Sequence, residues 1–154
     1  MKNEVDISEM MPIIEEALKN GKQVRFKVRG QSMYPTLIEQ RDSVILEKKD
    51  AYKKYDIILY RRDDGHYVLH RIVGTKNGCF KLCGDNQTDI EYPIRKDQII
   101  AAAISLERKG KKIDAADFKY NAVVHIWTNF IPLRPQMMKT VMRIRRNKLK
   151  KKRT

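Results

Sequence analysis

Between residues 24 and 29, apolar and charged side chains alternate. Val24, Phe26 and Val28 fall on one side, and Arg25, Lys27 and Arg29 on the other. A two-residue period of this kind marks a strand buried on one face. Short runs rich in Val, Ile, Leu and Tyr recur at 43–47, 56–60 and 67–73, each bounded by polar or turn-forming residues. Asn77-Gly78 is a strong hairpin signal leading into a strand at 79–83. A last strand is predicted over 98–107, returning through Lys109-Gly110-Lys111 to Ile113. Ahead of the strands, Met10, Ile13, Ile14, Ala17 and Leu18 recur at helical spacing. They predict a short helix that starts at Ser8 or Met11, tolerates Pro12 in its first turn and closes at Asn20-Gly21. Its stripe is expected to pack on the sheet. The pattern predicts a mainly β, antiparallel, barrel-like domain over 22–117, preceded by a helical segment, 1–21.

After Asp117 the pattern changes. Residues 122–133 are apolar and aromatic, residues 137–154 read as a basic helix, and no acidic residue occurs past Asp117. Nine lysines and arginines lie from Lys139 onward, leaving 24 basic against 19 acidic residues elsewhere, so most of the +14 net charge is local to this third segment, 118–154. Such a tail reads as a solvated end, a nucleic-acid patch or an anionic-membrane contact. Trp127, Phe130 and Ile131 just upstream favour the membrane surface. Nothing upstream resembles a helix-turn-helix, which argues against a DNA-binding repressor.

Candidate chemistry lies in the strand-rich part. Ser32 sits in Gly30-Gln31-Ser32-Met33-Tyr34-Pro35-Thr36-Leu37, where Gly30 ends a strand and Pro35 fixes a bend. A small hydroxyl is thereby carried to the rim of a sheet, where a nucleophile must stand. By itself a serine in a turn is ordinarily a turn residue. Likewise, His70 alternates with Val68 and Ile72 on one strand face, the usual setting of a core histidine. Asp85, in Gly84-Asp85-Asn86, could equally cap a turn.

Taken together and in order, these segments resemble the signal peptidase I superfamily, including its self-cleaving SOS-repressor relatives. Ser32 to Thr36 match the family's Ser-Met-x-Pro-Thr box. Asp42-Ser43-Val44-Ile45 and Asp56-Ile57-Ile58 resemble the strands that follow, Val68 to Gly74 the next box, and Gly84-Asp85-Asn86 the last. The resemblance covers roughly 24–104 and implies a serine endopeptidase acting on an extended leader-like or small precursor peptide. Where bacterial signal peptidases place a lysine base, this chain has His70 before Arg71, the pattern of the Ser-His subtype. A lysine must be strongly desolvated to act as a base at neutral pH, whereas an imidazole starts near a pKa of roughly 6.5. It needs an acceptor on its other nitrogen; Asp85 is the expected one, with Asp89 as the alternative. Many relatives carry a serine two residues before the nucleophile that helps hold the oxyanion. Here that place holds Gly30, so backbone N–H groups near Ser32, aided by Gln31, are expected to do so. The rival reading is a peptide-binding module of the same fold without the chemistry, and a third is self-cleavage.

Composition bounds the remainder. A chain of 154 residues, 42% apolar and 34% charged, suits one folded domain. No apolar run approaches the roughly 18 residues of a membrane span, and Met1 to Asp6 is polar, unlike a leader or an anchor. Cys79 and Cys83 would lie roughly 13 Å apart on a strand, too far for a bridge. Neither a zinc site nor any cofactor is expected; His66 and His125 read as surface or structural residues. The expected setting is the cytoplasm, peripheral to the inner membrane face.

Overall fold

The structure is a computed structural model and describes residues 7–152. The polar start at Met1 to Asp6 and the last two residues of the basic segment lie outside the described residues. The elements are α1 (Ile7–Lys19), β1 (Val24–Lys27), β2 (Ser43–Glu47), β3 (Ile57–Arg61), β4 (Tyr67–Lys76), β5 (Cys79–Cys83), β6 (Glu91–Ile94), β7 (Ile99–Arg108), β8 (Lys111–Asp114), α2 (Phe118–Asn129) and α3 (Arg134–Lys151).

All strand pairs are antiparallel, and the sheet runs β1-β2-β7-β3-β4-β5-β6. β7 is long enough to serve two partners on one edge, β3 along its first half and β8 along its second. The two-residue period sorts side chains onto two faces, each with its own core. Leu59, Leu69, Ala101 and Ala103 join Met33, Leu37, Val44 and Leu46 on one face. Ile58, Tyr60, Ile72 and Ala102 join Phe80, Leu82 and Ile94 on the other. Asn77 and Gly78 turn the β4–β5 hairpin with φ of 50° and 74°, the left-handed pair that a two-residue connection of this hand requires.

Two expectations are corrected. α1 buries Met11 and Leu18 in the first core and packs Ile14 half-buried against it, while Met10 and Ile13 remain exposed. The sequence holds two overlapping stripes at helical spacing, and the one that meets β1 and β7 begins at Met11. The segment 122–133 is not simply an apolar approach to a tail; most of it is α2. Asp117 caps that helix by accepting from the Tyr120 N–H at 2.8 Å. Trp127, expected at a membrane surface, is buried, and its indole N–H donates to the Asp85 carbonyl at 2.8 Å.

Candidate active site

The Ser32 turn is fastened from both ends. Met33 and Leu37 are buried in the first core, and the Leu37 N–H closes on the Met33 carbonyl at 2.9 Å. Ser32, just before Met33, is half-buried at the rim. Gly30 has φ of 72°, a backbone state that glycine adopts without strain, and its N–H donates to Glu39 Oε1 at 2.9 Å.

Gly84-Asp85-Asn86 holds this turn from the sheet side. The Asn86 N–H donates to the Ser32 carbonyl at 2.8 Å, and Asn86 Nδ2 to the Gln31 carbonyl at 3.2 Å. Thr36 Oγ1 donates to Asp85 Oδ2. Ser32 lies so close over Gly84 that a Cβ there would stand 2.6 Å from the Ser32 carbonyl oxygen, so only glycine fits. Arg71, the residue after His70, pairs across to Cys83, the residue before Gly84. The Ser32 turn is thereby seated at the end of β5, the strand next to the one that carries His70.

The expected role of Asp85 is corrected. Both of its oxygens are taken by Arg71, from Nε at 2.9 Å and from Nη2 at 2.7 Å, and the pair is sealed from solvent. Burial would raise the Asp85 carboxyl, but the Arg71 charge and hydrogen bonds, with Thr36, hold it below the usual carboxylate value. Asp85 therefore braces the Ser32 turn through Thr36 and makes no hydrogen bond to the imidazole. Adjacent strand residues face opposite ways, and a carboxylate on the Arg71 side is spent on Arg71. Asp89 is exposed and does not take the role either.

The group beside His70 is one the sequence reading missed. His70 is 2% exposed, and its Nδ1 lies 3.4 Å from the Tyr60 hydroxyl and 3.5 Å from Glu91 Oε1. Tyr60 donates to Glu91 Oε2 at 2.7 Å, and the Arg62 guanidinium grips the same carboxylate through Nε and Nη2. Burial pushes the His70 imidazole down to about 4, against the upward pull of Glu91, so it is neutral at physiological pH. Burial would raise the Glu91 carboxyl, but Arg62 and Tyr60 hold it low and ionised. Nδ1 is thus assigned to the Glu91–Tyr60 side, and no described residue hydrogen-bonds Nε2 or Ser32 Oγ, to each other or to anything else. Glu91 opens β6, but Pro93 inside a strand only four residues long leaves no period by which the sequence could reveal it.

The C-terminal helices complete the frame. Arg134 is buried and donates to the Gly84 and Gln87 carbonyls, both at 2.8 Å, and Arg145 on α3 reaches the Tyr34 hydroxyl at 3.1 Å. A cleft lined by Gln31, Tyr34, Asn86, Met142 and Arg145 opens between the Ser32 turn and α3. His66 is exposed on a turn, and His125 stacks on Tyr55 at 3.8 Å. Among the described residues no cluster of side chains could hold a metal ion, and Cys79 and Cys83 are free thiols at the two ends of β5.

An antiparallel sheet that carries a glycine-hinged serine turn and a neutral buried histidine is the scaffold of a serine-peptidase-type hydrolase. Comparison with known families bears this out. The chain belongs to the Peptidase S24-like family, whose model matches residues 1–104. That match ends within β7, so β8, α2 and α3 lie beyond it. No curated protein matches the chain.

Proposed function

We propose that this protein is a serine endopeptidase that cleaves a leader-like or small precursor peptide. Ser32 Oγ attacks the scissile carbonyl, and His70 Nε2 accepts its proton and returns it to the leaving amine. Glu91, with Tyr60, holds Nδ1 and stabilises the imidazolium as it forms, in place of the Asp85 first expected. Backbone N–H groups of the Ser32 turn hold the oxyanion, since Gly30 offers no hydroxyl there. β1 ends the hydrogen-bonded order of the sheet and leads directly into the Ser32 turn, so an extended peptide can add along its edge and enter the cleft beside α3.

The observation that supports this reading is the setting of His70: Nδ1 beside Tyr60 and Glu91, Nε2 without a partner among the described residues, and Ser32 seated at the end of the neighbouring strand. A core histidine has no need of a half-buried carboxylate that is itself clamped by an arginine. The test is cleavage of a panel of leader-like peptides with small residues near the scissile bond, by the parent chain, Ser32→Ala and His70→Ala. Cleavage by the parent and its loss in both variants is expected. Binding of the same peptides by all three without cleavage would leave a peptide-gripping scaffold.

A further inference from the structure

α2 is apolar on two sides. Val124, Trp127 and Thr128 face inward and are buried. Val123, Ile126 and Phe130 recur at i, i+3 and i+7 on the outward side and are 65%, 56% and 48% exposed. Helical geometry stacks these three into one stripe. Phe118 at the start of the helix and Leu133 just past its end add further exposed apolar surface. An outward helix face on a water-soluble domain is normally polar, and an apolar one marks a surface that meets something.

What it meets is indicated by charge. From Phe118 onward the chain carries eleven lysines and arginines and no acidic residue. α3 is fastened along one side, through buried Arg134 and Met138 and through Arg145 on Tyr34. Helical spacing puts Lys139, Arg143 and Arg146 on the opposite, exposed side. A second copy of this surface would bring two uniformly basic segments together, and a nucleic acid has no use for Val123, Ile126 and Phe130. An anionic bilayer satisfies both features, taking the apolar stripe at its acyl boundary and the cations at its headgroups. No described helix is long and apolar enough to cross a membrane, so the contact lies in the plane of the surface.

We infer that α2 and α3 dock this protein on anionic lipid bilayers. The inference is independent of the chemistry at Ser32 and is tested without cleavage. The full chain is sedimented with vesicles of phosphatidylcholine alone or containing phosphatidylglycerol. Retention at least roughly tenfold greater on the anionic vesicles is expected, weakened by salt and unaffected by soluble glycerol phosphate. Val123→Ser with Ile126→Ser, at exposed positions, is expected to cost roughly tenfold in partitioning with the circular dichroism unchanged. Lys139→Glu with Arg143→Glu and Arg146→Glu is expected to erase the preference for anionic lipid. Absence of binding to anionic vesicles would overturn the inference. So would a serine variant that binds as well as the parent, or a dimer in light scattering that the serine variant dissolves.

Discussion

At the scale of single residues, the decisive contrast lies between two carboxylates, Asp85 sealed from solvent and Glu91 half-buried, that have different partners. Asp85 neutralises Arg71 and ties down Thr36; Glu91 lies beside His70 Nδ1. Their removal should therefore differ in kind. Asp85→Ala leaves a sealed guanidinium unpaired and should cost roughly 3–5 kcal/mol in denaturant unfolding, and should move the acid limb of kcat/KM against pH down less than loss of Glu91 does, because Asp85 is the weaker of the two upward pulls on His70. Glu91→Gln should lower kcat roughly 10²-fold or more and move that limb further down, because Glu91 raises the His70 pKa. In the parent the limb should fall near pH 4, well below the roughly 6.5 of a free imidazole. Stability carries the same signature. The unfolded chain binds a proton on His70 at about 6.5 and the folded chain only at about 4, so between those values the unfolded state holds more protons. Stability must then fall as pH drops through that window, by on the order of 3 kcal/mol from this group. A thermal or denaturant series from pH 7 to pH 4 reads it directly.

Among the elements, the strands with a strict two-residue period and the Asn77-Gly78 hairpin were legible in the sequence, because their side chains alternate and their turn demands particular residues. The box around Ser32 was legible as a bend with a hydroxyl at its rim. β6 was not, since four residues containing a proline give no period to read. α2 was hidden because it is apolar on both sides, which erases the amphipathic signal that locates a helix. The register of α1 was misread because two stripes overlap in one sequence and only tertiary contact chooses between them. The partnership of Glu91 with His70 joins residues on β4 and β6 that are not neighbouring strands, a fact only the folded sheet supplies. Gly84 shows how closely the elements must meet. Gly84→Ala places a methyl 2.6 Å from the Ser32 carbonyl oxygen, and either the β5 end or the Ser32 turn must give way. A loss of roughly 1–3 kcal/mol is expected, together with a fall in cleavage larger than that loss of stability alone explains.

On the scale of the whole molecule, the sheet fixes the imidazole and the Gly-Asp-Asn segment, and the C-terminal helices fasten that segment from outside. Trp127 on the Asp85 carbonyl, Arg134 on the Gly84 and Gln87 carbonyls and Arg145 on Tyr34 tie α2 and α3 to the serine turn, although the match to the Peptidase S24-like family ends before them. The part of the chain that would meet a membrane is therefore the part that walls the cleft, and a peptide held at a bilayer surface would arrive beside Ser32. The most direct test of the account is chemical. The full chain is mixed with an excess of leader-like peptide, quenched in acid and examined by intact-mass and peptide-map mass spectrometry. The account predicts an acyl ester on Ser32 in the parent, absent in Ser32→Ala and slow to form in His70→Ala. Cleavage that proceeds in Ser32→Ala, or an adduct on any other side chain, would contradict it.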